Sequence, residues 1–210
     1  MILSLVLLVG AFVFPSVCTA QFAMQDFGRV TRSCRPISGL PAAQEMLIPL
    51  GVLDRRKLDH SMITGRWRDY RSSYGTSHLH AGIDLEPPYS KGRGFPVLAA
   101  AEGVVCATAF GRPEQTVVVQ HQHKEGRPLF SLYKHLARIY VRPGDVVGKH
   151  TILGLTESRY DRHGPTYAHL HFEIRRTLAD GGKASYMATN RHFAKIFANP
   201  EEVLKSLERF

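Results

Sequence analysis

Residues 103–133 read GVVCATAFGRPEQTVVVQHQHKEGRPLFSLY and give the clearest indication of the fold class. It holds three short runs rich in β-branched and aromatic residues: Gly103–Ala107, Thr116–Gln120 and Leu129–Tyr133. Clusters of Gly, Pro and charged residues separate these runs, as is typical of turns between strands. Three further runs have the same character: Phe95–Ala99, Ile139–Val141 and Leu170–Arg175. No amphipathic helix long enough for a βαβ unit lies between them, so we predict an all-β fold.

The β-rich segment, residues 62–176, is the predicted central domain. Residues 21–61 precede it as an N-terminal extension with three prolines and one helix-like stretch, Ala42–Leu47. We expect this extension to pack on the central domain, where it could occlude a groove.

A C-terminal loop and helix, residues 177–210, follow the central domain. Asn199 is a good N-cap for the helix, and Pro200 suits its first position. The apolar stripe of Val203, Leu204 and Leu207 predicts a helix that docks on the domain and carries no chemistry.

Length and composition indicate one globular domain with appendages: 210 residues, 44% hydrophobic and 21% charged. The formal net charge of +9 favours polyanionic partners such as nucleic acid, acidic membrane surfaces or acidic cell-wall polymers. The basic residues are scattered, and no nucleic-acid-binding motif accompanies them. We therefore predict no nucleic-acid partner.

The first 20 residues are predicted to be a signal peptide. Residues 2–17 are almost wholly apolar, and Cys18, Thr19 and Ala20 supply small residues before a cleavage site at Gln21. The segment is short for a membrane span, and it contains no Lys or Arg. An uncleaved membrane anchor is the alternative, and the residues before Cys18 disfavour lipid modification there. We predict export to the periplasm, the cell envelope or the extracellular space.

Two cysteines lie after residue 20, Cys34 and Cys106. In an oxidising compartment they could form a disulfide. Cys106 also lies among small apolar residues, where it could simply be a buried hydrophobe. Both interpretations stay open at the level of sequence.

A pair of histidines occurs in HLHFEIR, residues 169–175. Side chains two apart along a strand share a face, so His169 and His171 point together while Leu170 and Phe172 face the other way. Two imidazoles on one face suit a metal site in which one is a ligand and the other acts nearby. Strand geometry alone does not decide which of them is the ligand.

A second group is His80-Ala81-Gly82-Ile83-Asp84. In an extended chain, His80 and Asp84 would lie about 13 Å apart, too far for both to bind one ion. We expect a bend at Ala81-Gly82, because glycine tolerates backbone conformations that are closed to other residues. With a histidine of the HLH pair, the group supplies three ligands and leaves a position for water, as in catalytic zinc sites.

A catalytic zinc site also needs a group that deprotonates the water. The sequence contains no HExxH motif, whose glutamate would do this. His135, in YKHL at the end of a predicted strand, is the candidate for this role together with His169.

Taken together, the motifs resemble the lysostaphin-type, or LytM-type, zinc metallopeptidases that cleave peptidoglycan. The resemblance covers residues 63–175 and rests on HAGID, GFPVLAAAEGVV, YKHL, VRPGDVVGKH and HLHFEIR in that order. It implies an antiparallel β core with short peripheral helices, a groove over that core, and peptidoglycan as the partner. It also implies one Zn²⁺ per chain, with the ligands His80, Asp84 and His171 and the catalytic histidines His135 and His169.

Two segments depart from the pattern common in that family, residues 65–71 and residues 156–169. In the second, charged residues replace a stretch usually rich in Gly and Thr. Both segments would line the groove, so the resemblance does not fix which peptide bond is cut.

Two other functions match parts of the sequence. A catalytically silent cell-wall-binding module or amidase activator would share the fold, but such proteins typically lose ligands, and all five site residues are present here. Residues 141–154 also resemble part of a lipoyl- or phosphotransferase-like hybrid barrel. Such carriers are cytosolic, which conflicts with the predicted signal peptide.

Several residues near the motifs are assigned roles outside the chemistry. His78 is expected beside a ligand or at the surface, and His121 and His123 are expected to flank a solvated hairpin turn. Three aromatic residues could stack on a substrate, but we expect core positions for them: Trp67, Tyr70 and Tyr74.

Overall fold

The computed structural model describes Cys34 and residues 37–73, 76–110, 115–178 and 190–205. The predicted signal peptide and Tyr74 lie outside these residues. The strands are β1 (Ile63–Gly65), β2 (Tyr70–Ser73), β3 (Thr76–Leu79), β4 (Ile83–Leu85), β5 (Pro96–Leu98), β6 (Gly103–Ala109), β7 (Thr116–Gln122), β8 (Pro128–Lys134), β9 (Leu136–Ile139), β10 (Val146–Val147), β11 (Ile152–Thr156), β12 (Leu170–Arg175) and β13 (Phe197–Ala198). The α-helices are α1 (Gly164–Tyr167), α2 (Asn190–Ile196) and α3 (Pro200–Lys205), and short 3-10 helices cover His60–Met62 and Pro88–Ser90.

Most of the strands form one large sheet in the order β1-β4-β12-β8-β7-β6-β10, with β13 paired to β12. A three-stranded sheet has the order β5-β11-β9, and β2 and β3 form a separate hairpin. Every pairing between these strands is antiparallel. The predicted all-β fold with an antiparallel core and short peripheral helices is therefore confirmed.

The main hydrophobic core contains side chains from both larger sheets. From β12 it receives Leu170, Phe172 and Ile174, and from the three-stranded sheet it receives Val97 and Leu153, all fully buried. The alternation along β12 thus directs one face of the strand into the core.

Five of the six predicted strands overlap β5, β6, β7, β8 and β12 over most of their length. The sixth, Ile139–Val141, was placed too late, because β9 spans Leu136–Ile139. The β2–β3 hairpin and the short strands β1, β10, β11 and β13 were not predicted. Among these, β1, β10 and β13 have only two or three residues, which is too little alternation to be recognised from sequence.

The helix suggested for Ala42–Leu47 is wrong. Its backbone groups bond to the sheets instead of to one another: Ala43 N–H donates to the Gln122 carbonyl at 2.9 Å and Leu47 N–H to the Ala100 carbonyl at 2.7 Å. Ala42 also forms a parallel bridge with Gln122. Tertiary contacts therefore override the local helical preference.

The described part of the N-terminal extension contributes to the main core. Ile48 and Leu50 are fully buried, and Leu50 bridges to Val97 of β5. The Arg55 guanidinium donates to the carbonyls of Ile48 and Ala99 at 2.6 and 2.8 Å. The core thus runs across the predicted boundary at residue 61, and that boundary stays a prediction.

The terminal helix α3 begins as predicted. The side-chain oxygen of Asn199 accepts a hydrogen bond from the Glu201 N–H at 3.0 Å, as an N-cap does. Leu204 is buried in the core, whereas Leu207 lies outside the described residues. Among the residues that the structure describes, no helix has the length and apolar character to cross a membrane.

Cys34 and Cys106 form a disulfide with Cα atoms 4.9 Å apart. It joins residue 34 to strand β6 across 72 residues of sequence. Both cysteines are buried against a small apolar cluster that includes Phe130 and Leu132. Disulfides of this kind persist in oxidising compartments, which agrees with the predicted export.

We expect the double variant C34A/C106A to lose about 2–4 kcal/mol of unfolding free energy, because the cross-link restricts the unfolded chain. Urea unfolding of both proteins without reductant measures the difference. With reductant present, the wild type should unfold at the urea concentration at which the variant unfolds. Equal midpoints without reductant would show that the disulfide does not stabilise the protein.

The prediction of a solvated position for His121 is wrong. His121 lies in β7 and is fully buried. Its Nδ1–H donates to the Glu102 carbonyl at 2.8 Å, and its Nε2 lies 2.7 Å from the Ser131 hydroxyl. That hydroxyl lies 2.9 Å from the Tyr133 hydroxyl, which in turn accepts the Ala100 N–H at 2.8 Å. His121 directly follows the predicted strand, but its ring links β7 to β8 and to the chain before β6.

Burial lowers the pKa of His121 from 6.5 to about 4. The neutral ring is therefore favoured in the folded protein, and its stabilising contribution is complete above pH 6.5 and lost as the pH falls towards 4. We expect this ring to lower the unfolding free energy on the order of 3 kcal/mol across that interval. Urea unfolding at several pH values should give a shallower decline for His121→Gln than for the wild type. Parallel declines in the two proteins would contradict the assignment.

Candidate metal centre

Strand register places the predicted ligands side by side in the large sheet. In β12, His171 is paired with Asp84 of β4 on one side and with Lys134 of β8 on the other. His80 lies just before β4, where Arg68 N–H donates to its carbonyl at 2.9 Å and its own N–H donates to the Asp69 carbonyl at 2.8 Å. Three separate segments of the chain therefore meet at one position on the sheet.

The ligand atoms of His80, Asp84 and His171 converge on one point. His80 Nε2 lies 3.1 Å from Asp84 Oδ1 and 2.9 Å from His171 Nδ1, and His171 Nδ1 lies 2.9 Å from Asp84 Oδ1. All three residues are buried. Among the described residues this is the group of His, Cys, Asp and Glu side chains with the arrangement to hold a metal ion.

Two imidazoles and one carboxylate are a donor set that zinc prefers. With zinc bonds of about 2.0–2.2 Å and tetrahedral angles, ligand atoms lie about 3.4 Å apart. The observed separations of 2.9–3.1 Å are a few tenths of an ångström shorter. Small side-chain rotations would open the triangle by that amount, so the residues fit the ion.

Hydrogen bonds orient both imidazoles of the triangle through the ring nitrogen that faces away from the other ligand atoms. His80 Nδ1–H donates to the Arg66 carbonyl at 2.7 Å, which leaves Nε2 to face the other ligands. His171 Nε2–H donates to Glu173 Oε1 at 2.9 Å, which leaves Nδ1 to face them. Such outer contacts fix the tautomer and the ring plane of a metal-binding histidine.

A buried charged row on β12 supports His171. Glu173 is fully buried and contacts two cations, Lys134 Nζ at 3.0 Å and Arg175 Nε at 2.8 Å. The Arg175 guanidinium also lies over the Phe197 ring, 4.7 Å from its centroid. The sequence interpretation missed this row, although His171, Glu173 and Arg175 follow the same two-residue period as the histidine pair.

The surroundings of Asp84 keep its carboxylate ionised. Burial alone would raise the pKa of Asp84, but hydrogen bonds from His171 and His80 outweigh it and hold that pKa well below its usual value. Burial likewise opposes charge on His171, yet hydrogen bonds to Asp84 and Glu173 raise its pKa. For His80 burial dominates and lowers the pKa. An ionised carboxylate is the form that binds a metal.

Gly82 has a different role from the one predicted. The chain does leave its extended course between His80 and Asp84, but Gly82 has no positive φ. Its lack of a side chain is needed because a Cβ there would collide with the backbone carbonyl of Phe172 in β12. The glycine therefore permits the close approach of two chain segments.

His135 and His169 lie next to the ligand triangle. Their ring centroids are 4.9 Å apart, and that of His135 lies 5.9 Å from His171. His169 Nε2 is 3.5 Å from Asp84 Oδ1, and burial lowers the pKa of His169 to about 3. The structure thus brings all five predicted site residues together. It adds Tyr167, whose ring centroid is 4.6 Å from that of His135.

The backbone of His135 adopts φ of 65°, in the left-handed region. Such values are uncommon for residues other than glycine and cluster at functional sites. His135 lies between β8 and β9, and its carbonyl accepts the Glu157 N–H at 2.9 Å. Surrounding contacts thus hold the ring towards His169.

The family model that matches the sequence is that of peptidase family M23, over residues 78–186. The match covers about half of the chain and includes the five clustered residues. The chain belongs to peptidase family M23. The resemblance to lysostaphin-type peptidases is thereby confirmed.

Several solved structures are similar to this M23 chain. The catalytic domain of the antimicrobial peptidase lysostaphin from Staphylococcus simulans is 21% identical, with a TM-score of 0.46 over 69% of this chain and 92% of that one. The SpoIIQ–SpoIIIAH pore-forming complex contains a chain that is 21% identical, with a TM-score of 0.49 over 76% and 90%. A zinc-containing peptidase from Vibrio cholerae is 20% identical, with a TM-score of 0.44 over 72% and 41%.

A pocket of about 650 Å³ opens beside the ligand triangle of this M23 domain. Its lining includes Arg71, Asp84, Glu86, Arg159, Pro165 and His169. The two segments that depart from the common family pattern contribute Arg71 and Arg159. None of the described residues between 37 and 61 is among its lining residues.

Two aromatic residues and one histidine near the site were also assigned positions from the sequence. Trp67 packs on Phe193 with ring centroids 4.9 Å apart and contacts the core, as expected. Tyr70 is 73% exposed, so its predicted core position is wrong. His78 is half-buried in β3 and is not part of the ligand triangle, and its role beside a ligand stays a prediction.

Proposed function

We propose that this protein is a zinc-dependent endopeptidase that hydrolyses peptide bonds of peptidoglycan. The observation that carries the proposal is the convergence of three buried ligand atoms within 3.1 Å of one another, with two more histidines beside them. Membership of peptidase family M23 supports the reaction class. His80, Asp84 and His171 would hold one Zn²⁺ per chain.

When bound, zinc supplies a Lewis acid that polarises the scissile carbonyl and lowers the pKa of water. The protein's own histidines would carry the proton. An unprotonated imidazole at His135 or His169 accepts a proton from the attacking water and passes it to the leaving amine. Before it gives up this proton, the protonated ring donates a hydrogen bond to the negative oxygen of the tetrahedral intermediate.

The positions of His135 and His169 suit a role in proton transfer. His169 is next to Asp84 and lines the pocket, so a substrate that enters the pocket meets its ring. His135 is positioned by its strained backbone and by the Tyr167 ring.

We also propose that residues 1–20 direct export and that the protein acts in the cell envelope or outside the cell. The Cys34–Cys106 disulfide supports an oxidising compartment. The basic character of the chain, with a net charge of +9, suits an anionic wall polymer.

Removal of residues 21–33 tests whether the N-terminal extension occludes the site. If it does, the removal would raise the hydrolysis rate of the still-folded protein, and an unchanged rate would contradict occlusion by these residues.

The proposal predicts that purified protein releases soluble peptide fragments from purified peptidoglycan sacculi. A chelator should abolish the release, and added Zn²⁺ should restore it, because ligation of the ion is needed for the reaction. Mass spectrometry of the fragments identifies the bond that is cut. Stoichiometric bound zinc with no fragment released would contradict the proposed reaction and favour a silent wall-binding module.

A further inference from the structure

The pocket beside the ligand triangle carries two guanidinium groups. Arg71, in the β2–β3 hairpin, and Arg159, in the segment that follows β11, both line it. Their side chains are 34% and 55% exposed, so both reach the solvent that fills the pocket. At about 650 Å³, the pocket is in the range of sites that bind small ligands.

The two carboxylates that line the pocket already have partners. Asp84 directs Oδ1 towards the imidazoles of the triangle and Oδ2 towards Arg71 Nη2 at 2.7 Å. Glu86 Oε1 accepts a hydrogen bond from the Ser90 hydroxyl at 2.9 Å, and Arg159 Nη2 lies 3.8 Å from the same oxygen. The Arg159–Glu86 pair is therefore long, and a closer anion would compete for the guanidinium.

Local structure fixes the position of Arg159. Its N–H donates to the Gly92 carbonyl at 2.8 Å, and the Ser158 hydroxyl donates to the same carbonyl at 3.2 Å. Gly92 has φ of 76°, and a Cβ there would occupy the space in which the Arg159 side chain lies. The Ser158 N–H donates to Asp161 Oδ2 at 2.8 Å. These contacts hold the segment that carries Arg159 in place at the edge of the pocket.

We propose that this pocket binds a substrate carboxylate next to the scissile peptide bond, with Arg159 and Arg71 as the recognising cations. A planar guanidinium with its five N–H donors matches a carboxylate by paired hydrogen bonds. The contact with Asp84 uses Nη2 of Arg71, and the other N–H groups of that guanidinium lie in the pocket lining. The protein would thus prefer peptide cross-links that carry free carboxylates to cross-links whose carboxylates are amidated. This inference rests on the proposed peptidase function.

A matched pair of fluorescent cross-linked peptides tests it. The two are identical except that the carboxylates beside the cross-link are free in one and amidated in the other. Fluorescence anisotropy measures their binding to the full-length His135→Gln protein, because that residue does not line the pocket and its loss slows turnover about 10²–10⁴-fold during the measurement. We expect the free form to bind at least about tenfold more tightly, as charge-assisted hydrogen bonds would give.

In the same background, Arg159→Gln should abolish the preference, and Arg162→Gln should preserve it. Arg162 is an exposed residue of the same segment and is not among the pocket-lining residues, so it matches the charge change. Equal affinity for the two peptides would overturn the inference, as would equal losses in the two arginine variants or a preference that survives Arg159→Gln. Absence of hydrolysis by the zinc-loaded wild type would instead refute the proposed function, because binding does not depend on turnover.

Discussion

Replacement of His171 by Ala is expected to remove nearly all bound zinc and to slow peptidoglycan hydrolysis by about three orders of magnitude or more. His171 supplies one of three converging ligand atoms and lies between Asp84 and Lys134 in the sheet. Loss of the ion would remove several kcal/mol of transition-state stabilisation, and each 1.36 kcal/mol is about tenfold in rate. Metal analysis of purified protein and fragment release from sacculi give the two results.

Two further variants separate metal binding from proton transfer. His150→Ala alters an exposed histidine in the turn before β11 and should leave both results unchanged. His135→Gln should retain one zinc per chain and lose about 10²–10⁴ in rate, because it would act in proton transfer and is not a ligand. Full zinc-dependent hydrolysis by His171→Ala would contradict the assignment of ligands.

Replacement of Glu173 by Gln should be the most destabilising change of a single side chain next to the site. The variant leaves Lys134 and Arg175 buried without the carboxylate that contacts both. Removing one partner of a buried ionic group costs about 3–5 kcal/mol. Because Glu173 also accepts the Nε2–H of His171, zinc affinity should fall about 10- to 100-fold. Urea unfolding and competition with a zinc-binding dye measure the two effects.

A surface ion pair provides the matched control for Glu173. Glu125 pairs with Arg127 in the turn between β7 and β8, where their side chains are 56% and 75% exposed. Glu125→Gln should change the unfolding free energy by less than about 1 kcal/mol. If Glu173→Gln were as mild as this control and bound zinc normally, the buried row would have no supporting role.

Local patterns predicted the elements of the site well. The histidine pair of β12 was found because side chains two apart share a face, and Leu170 and Phe172 are indeed buried on the other face. Four strands of the large sheet, β6, β7, β8 and β12, were found because each exceeds five residues and is bounded by turn residues. His80 and Asp84 could be assigned to one metal site because a bend was expected at Ala81-Gly82 between them.

Non-local contacts account for what the sequence did not predict. The register that sets Asp84 opposite His171 depends on the pairing of β4 with β12, in which these two residues are 87 apart in sequence. The collision that makes Gly82 necessary involves the carbonyl of a different strand. His121 looked like a turn residue because the histidines and the Lys124-Glu125-Gly126 turn are adjacent in sequence, whereas its partners come from β8 and the chain before β6.

X-ray diffraction from crystals of the zinc-loaded protein, with anomalous scattering recorded at the zinc edge, would show which side chains hold the ion. We expect one zinc ion per chain, bonded to His80 Nε2, Asp84 Oδ1 and His171 Nδ1 at about 2.0–2.2 Å. An ion bound through His78 or His169 in place of these atoms, or no ion between the three side chains, would contradict it.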